Sequence, residues 1–145
     1  MKKIILTLAV ALSTLCSFAG EENVNAKVLN AFNSEFASAQ EIKWTAGKNY
    51  YKAVFVLNNQ YVSAFYNTDG ELLGLTRYIS SLDLPLNLQS GIRKGYSNYW
   101  ISDLFEVSNS DGTSYYITME NADGRIVLKS ASGSDWSVYQ KITKA

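Results

Sequence analysis

The 145-residue sequence contains no histidine, one cysteine and one proline, and 13 basic residues balance 13 acidic ones. The missing imidazole excludes Ser-His-Asp triads and the usual zinc sites. Cys16 falls in the opening segment, so a chain that loses that segment has no thiol nucleophile and no disulfide, and packing alone must hold it. Neither sign of charge dominates. Nucleic-acid binding, which needs a basic stripe to displace counterions from phosphates, is therefore not expected, and nothing electrostatic draws the chain to an anionic membrane. Long apolar runs are also absent: Ile4 to Leu12 is too short to span a bilayer comfortably and no second run follows.

That short run has a use. Lys2 and Lys3 precede it and the small residues Ser17 and Ala19 follow it, the order of a secretory signal peptide spanning residues 1–19 with cleavage after Ala19. A lipid anchor through Cys16 is the alternative, but such processing wants a small residue just before the cysteine and Leu15 is large. The expected location is the periplasm or the exterior. Processing leaves about 126 residues, enough for one domain with a sizeable core, with 11 basic against 13 acidic residues.

Little chemistry is left for such a chain. Glu21-Glu22 would sit at the processed N-terminus and the other carboxylates are scattered among turns, where solvated surface charge is the expected role. Asp69-Gly70, Asp111-Gly112 and Asp123-Gly124 lack the alternating oxygen ligands, the sixth-position glycine and the closing glutamate of a calcium loop. Asp-Gly between apolar alternations is instead a hairpin signal, since both turn residues must tolerate positive φ. No catalytic residue, cofactor or metal site is expected.

What is present is periodicity. In "NVNAKVLNAFNSEFASA", Val24, Val28, Ala31, Phe32 and Phe36 form one helical stripe. Period two then predicts strands through Ile42 and Trp44, through Tyr51, Ala53, Phe55 and Leu57, through Tyr61, Ser63 and Phe65 after an Asn58-Asn59 turn, and through Leu73, Leu75 and Ile79. A second set follows. Asp83 is expected to cap a helix that accepts Pro85 in its first turn and carries Leu88, Ile92 and Tyr96, with Gly91 and Gly95 weakening it. Strands are predicted at 104–108, 114–120, 125–130 and 136–142. The segment "YNTDGELLGLTRYI" recurs in outline 63 positions later as "KSASGSDWSVYQKI", placing Gly133 on Gly70, Trp136 on Leu73, Val138 on Leu75 and Ile142 on Ile79. The predicted class is α+β, with two tandem α-β-β-β-β repeats (about 24–79 and 83–142) forming an antiparallel sheet with helices on one face.

The helix ending in Phe32 and Phe36, the "IKW" strand around Trp44, the "YNTDGELL" hairpin, Ile79 and the "DLPLNLQSGI" restart resemble the secreted PepSY-like family of Bacteroidetes, whose fold resembles the β-lactamase inhibitory protein. The resemblance covers essentially all of residues 20–145, and its motifs are structural positions rather than a catalytic signature. It implies an exported protein with helices packed on one face of an antiparallel sheet and a role in binding or inhibition. "YSNYW" stands where the family usually has a proline-bearing end of the second helix.

A sheet with helices on one side leaves the other face open or covered by a partner. Alternation assigns Phe55, Phe65, Leu75, Ile117, Leu128 and Val138 to the helix side, so Tyr50, Lys52, Val54, Tyr66, Tyr78, Tyr116, Thr118, Lys129, Tyr139 and Lys141 are expected on the open one. Tyrosine has high strand propensity and shields a sheet, and it is also common in binding surfaces. Trp44 and Trp136 read as core, whereas Trp100 follows Tyr99 in a loop-like stretch. The expected function is a non-enzymatic binding module that takes a protein or peptide, with inhibition as one outcome, through Tyr50, Tyr66, Tyr78, Tyr116, Tyr139 and Trp100. The alternative is a glycan-binding or envelope-structural protein in which tyrosines and Trp100 stack on sugars.

Overall fold

Asn25 starts the first helix, α1 (Ala26–Glu35), by accepting the Val28 amide on its side-chain oxygen at 3.0 Å. The computed structural model describes residues 17–144, and only the backbone of Ser17–Ala19 and Glu22. The proposed leader up to Cys16 thus lies outside the described residues. The chain divides into two units, one ending at Arg77 and one starting at Tyr78.

In the first unit, β1 (Ser17–Ala19), β2 (Gln40–Ala46), β3 (Tyr50–Leu57), β4 (Gln60–Asn67) and β5 (Leu72–Tyr78, its last residue opening the second unit) pair antiparallel in chain order. β1, the end of the proposed leader, pairs with Trp44–Ala46. α1 places Val28 and Phe32 against Trp44, Ala53, Phe55, Ala64 and Tyr66. Phe32 is the centre of that cluster, with ring centroids at 5.1 Å from both Trp44 and Phe55 and 6.5 Å from Tyr66.

The side of β4 that enters this core differs from the expected one. Asn58 and Asn59 form a two-residue turn, both with positive φ (51° and 64°), and it pairs Leu57 with Gln60. An even-length turn of this kind sets odd residues against even ones, so Phe55 faces Val62, Ala53 faces Ala64 and Tyr51 faces Tyr66. Val62, Ala64 and Tyr66 therefore take the helix side in place of Tyr61, Ser63 and Phe65. Phe65 goes to the other side, opposite Lys52. A one-residue slip in register inverts every side chain of a strand, and the expected placements of Phe65 and Tyr66 are corrected accordingly.

The second unit holds α2 (Leu86–Gly95) and the antiparallel neighbours β6 (Trp100–Asn109), β7 (Gly112–Glu120), β8 (Gly124–Ser130) and β9 (Ser137–Thr143). Asp83 does not cap α2. It closes a short 3-10 turn (Ser81–Asp83) by accepting from the Ser80 amide and hydroxyl at 2.8 and 2.9 Å, and Pro85 holds the N-cap position of the helix. A 3-10 turn, a helix and a strand thus occur in the same order in both units, at 21–23, 26–35 and 40–46 and again at 81–83, 86–95 and 100–109. Leu84 and Leu88 cover Leu104, Ile117, Met119, Ile126 and Leu128. Gly91 is explained by Trp136: a Cβ there would lie 3.1 Å from the indole, whose Nε1 donates to the Leu88 carbonyl at 2.9 Å.

The Asp-Gly turns share one device. Asn67, Asn109 and Asn121 each accept the amide of the aspartate two residues on, Asp69, Asp111 and Asp123, at 2.8–2.9 Å. Gly70 and Gly112 adopt positive φ (83° and 118°), but Asp69, Asp111 and Asp123 do not, so the expectation of positive φ at both turn residues is met only at Asn58-Asn59. Gly124 does not adopt it either, and there a Cβ would meet the Ile142 carbonyl at 2.5 Å.

Trp44 is 4% exposed, so Trp44→Ala is expected to lower stability by about 3–5 kcal/mol. An unchanged midpoint in denaturant unfolding would show that the indole does not carry the first core.

Candidate functional site

On the helix-free side of the second unit, cross-strand pairing stacks aromatic rings. Phe105 lies opposite Tyr116, and Tyr116 opposite Lys129. The Phe105 and Tyr116 rings are 9° from parallel at 5.2 Å. Tyr139 meets Tyr116 edge-on at 5.5 Å, and Tyr78 meets Phe105 edge-on at 6.3 Å. Tyr139 alternates onto this side from Ser137, which pairs with Lys129, and β9 slips by one residue only after it, where Val127 pairs with Gln140 although Leu128 pairs with Val138. The result is a row Tyr78–Phe105–Tyr116–Tyr139, in a geometry favoured by ring quadrupoles. Lys129 Nζ stands 5.7 Å from the Tyr116 ring centroid.

The row has a buried centre and an exposed end. Tyr116 is fully buried, whereas Tyr78 is 78% exposed. The Tyr116 hydroxyl and Thr45 Oγ1 are buried side-chain polar atoms without a hydrogen-bond partner among the described residues. Burial, and then the nearby Tyr139, push the Tyr116 phenol well above the ordinary range. Partial desolvation against the sheet, followed by the charge of Asp103, raises the largely exposed Tyr78, and Asp103 is itself raised by desolvation, against a Leu104 backbone hydrogen bond that lowers it.

Of the six residues expected at the binding face, Tyr78, Tyr116 and Tyr139 come together in this row. Tyr50 belongs to the first unit, on its helix-free side, where it packs 6.3 Å from Phe65 and Lys52 Nζ sits 5.7 Å over the Phe65 ring. Tyr66 is on the helix side, fully buried, with its hydroxyl 3.4 Å from Glu35 Oε1. It cannot be a surface residue. Trp100 lies opposite Glu120 at the end of β6, 54% exposed, with Lys144 Nζ 5.2 Å from its ring. Trp136 packs with the second core, as expected. Val138 has the expected side, opposite Leu128, but is exposed, and Lys141 pairs with Ile126 and so leaves the open face.

Phe105 and Val107 were missed as members of the open side. Their alternation with Leu104 is visible in the sequence, but nothing local says which half of "LFEVS" meets the helix.

The row offers apolar and π surface with Lys129 beside it. Replacing Tyr116 by Ser should lower stability by about 3–5 kcal/mol. Tyr116→Phe, which removes an unpartnered hydroxyl, should leave it unchanged or raise it by about 1 kcal/mol. Denaturant midpoints distinguish these outcomes, and equal losses in both variants would mean that the hydroxyl is bonded in solution. The pH dependence has a definite sign. With folded-state phenols of Tyr66 and Tyr116 raised above their unfolded values, the associated stability is fully present below about pH 10 and is lost as pH climbs beyond it. Alkaline unfolding followed by tyrosinate absorbance checks this, and two late-ionising phenols should appear only as the chain unfolds.

No family model matches the chain, and no curated protein matches it. Solved structures do. A BLIP-like protein of Bacteroides fragilis NCTC 9343 superposes with a TM-score of 0.73 at 18% identity, covering 83% of this chain and 88% of that one. A protein of Bacteroides eggerthii DSM 20697, provisionally named periplasmic, gives 0.71 at 16% identity over 83% and 88%. A DUF2874 family protein of Bacteroides uniformis ATCC 8492 gives 0.72 at 12% identity over 82% and 88%. No helix among the described residues is long and apolar enough to cross a membrane. At these identities the likeness is one of fold, and the fold of this chain, antiparallel strands with two helices, is BLIP-like.

Proposed function

We propose that this chain is an exported, non-enzymatic binding module of the PepSY-like kind, built from two copies of one α-β-β-β-β unit, that takes a protein or peptide on the helix-free side of its second unit. The observation that carries the reading is the ring row itself. Tyr116, stacked on Phe105 and fully buried, is a fixed support. Tyr139 meets Tyr116 edge-on and Tyr78 meets Phe105 edge-on, and tyrosine loses little side-chain entropy when a partner orders it. Tyrosine anchors set in a packed aromatic cluster are typical of binding hot spots. The likeness to BLIP-like and provisionally periplasmic proteins supports export and partner binding, with inhibition of a partner one possible consequence. The glycan-binding or envelope-structural alternative has its support elsewhere, in the exposed Trp100 beside Lys144.

Cross-linked capture from periplasmic extract, with a Tyr78→Ser/Tyr139→Ser chain in parallel, tests this function. A partner held by the native chain should bind the double variant more weakly by about 2 kcal/mol or more, while the denaturant midpoint shifts by about 1 kcal/mol per site at most. A partner retained with unchanged affinity would reduce the row to a covering of the sheet.

A further inference from the structure

The first unit has a place for one exchangeable strand. β1 (Ser17–Ala19) lies along the outer side of β2, with Ser17 opposite Ala46, Phe18 opposite Thr45 and Ala19 opposite Trp44. Those three residues close the expected leader, so cleavage after Ala19 detaches them and leaves β2 as the edge of the sheet. An open edge presents unpaired N–H and C=O groups, which are a template for another chain.

The ladder decides which groups are left open. Gly47 donates its amide to the Tyr50 carbonyl at 2.9 Å, and the pairs Ala46–Tyr51 and Thr45–Lys52 continue from there. Hydrogen-bonded pairs alternate along an antiparallel ladder, so Thr45 bonds to β3 whereas Trp44 and Ala46 turn their amides and carbonyls outward. Toward the start of β2 the ladder is broken by a bulge between Gln40 and Lys43, with Glu41 at φ 53°. The open seat is therefore short and bounded, from Trp44 to Ala46.

Gly20 fixes its far end. This residue is extended (φ −67°, ψ 160°) and its carbonyl accepts the Asn23 amide at 2.9 Å, so the ammonium that cleavage creates stands where a strand seated on β2 ends. A free carboxylate on that strand would meet the ammonium and restore, as a charge-assisted pair, the junction that the peptide bond made. The two faces of the sheet set the rest. The positions opposite Trp44 and Ala46 lie on the helix side, beside a buried indole, and the leader has serine and alanine there. The position between them lies on the side of Lys52, Phe65 and Tyr50, where rings already gather, and the leader has phenylalanine.

We propose that the exported chain captures the carboxy-terminal end of another protein as an added strand on β2, small–aromatic–small in its last three residues, with the terminal carboxylate on the Gly20 ammonium. The site shares no residue with the Tyr78–Tyr139 row. It rests on the export reading alone, through cleavage after Ala19.

The test is an amide-shift titration of the isotope-labelled exported chain, its first residue identified as Gly20 by mass, with acetyl-Ser-Phe-Ala bearing a free carboxylate. The peptide should move the amides of Trp44, Thr45 and Ala46 saturably. Its carboxamide form should bind about tenfold or more weakly, and so should acetyl-Phe-Ser-Ala, which puts the ring on the helix side. Ala46→Pro removes an outward amide from an edge strand without removing a bond to β3, and should weaken the peptide by a similar factor at an unchanged denaturant midpoint. A chain begun at Ala19, whose extra residue fills the end of the seat, should weaken it equally with no side chain of the fold altered, and decides the matter if Ala46→Pro unfolds. The Tyr78→Ser/Tyr139→Ser chain should bind the peptide as the native chain does. An exported chain that keeps Ser17–Ala19, absence of saturable shifts, equal binding of acid and carboxamide, or native affinity in the chain begun at Ala19 would each overturn the proposal.

Discussion

Phe32, wholly buried on α1, sits edge-on to Trp44, Phe55 and Tyr66, and this contact decides which side of the first unit is core. Strand side chains alternate, so once the helix has claimed Trp44, Phe55 and Tyr66, their neighbours must lie on the other side. Phe65, Tyr50 and Lys52 follow from that choice. They make a smaller cluster of their own, in which Phe65 remains only 6% exposed although no helix covers it.

The second unit solves the same problem with aliphatic side chains. Leu84 and Leu88 cover Leu104, Ile117, Met119 and Leu128, and the Trp136 indole is tied to the Leu88 carbonyl. With the aliphatic residues drawn to the helix, Phe105 and Tyr116 are left to pair across strands on the opposite side. Burying a phenol without a hydrogen bond is unfavourable, and the ring contacts with Phe105 and Tyr139 must offset it. The arrangement makes a rigid support from a residue type usually found at surfaces, and Tyr78 and Tyr139 meet its two rings edge-on.

Matches of 12–18% identity with TM-scores above 0.7 show that the fold tolerates almost any residue that preserves the pattern. Pattern fixes helices, strands and turns, while surface chemistry is free to change between proteins that share it. Binding properties must therefore be argued from this chain's own side chains: the ring row in one place, and the exposed Trp100 beside Lys144 in another. Neither depends on histidine, cysteine or a metal.

The sequence by itself determined the class of fold, the two helices, the strand succession and the Asp-Gly turns, because each is set by local periodicity or by residues that accept a special φ. It also identified Trp44 and Trp136 as packing residues, from alternation alone. What only the tertiary structure decided was the side. Phe65 and Tyr66 are adjacent, both aromatic and both good strand formers, and no local property tells which of them meets Phe32. The Asn58-Asn59 turn decides it by pairing Leu57 with Gln60. In the same way, the slip between Val127 and Leu128 moves Lys141 off the side that alternation gives it, while Tyr139 keeps its expected side and meets Tyr116. Register is a property of pairing across distance, and a sequence read along its length carries only the propensities that pairing then selects among.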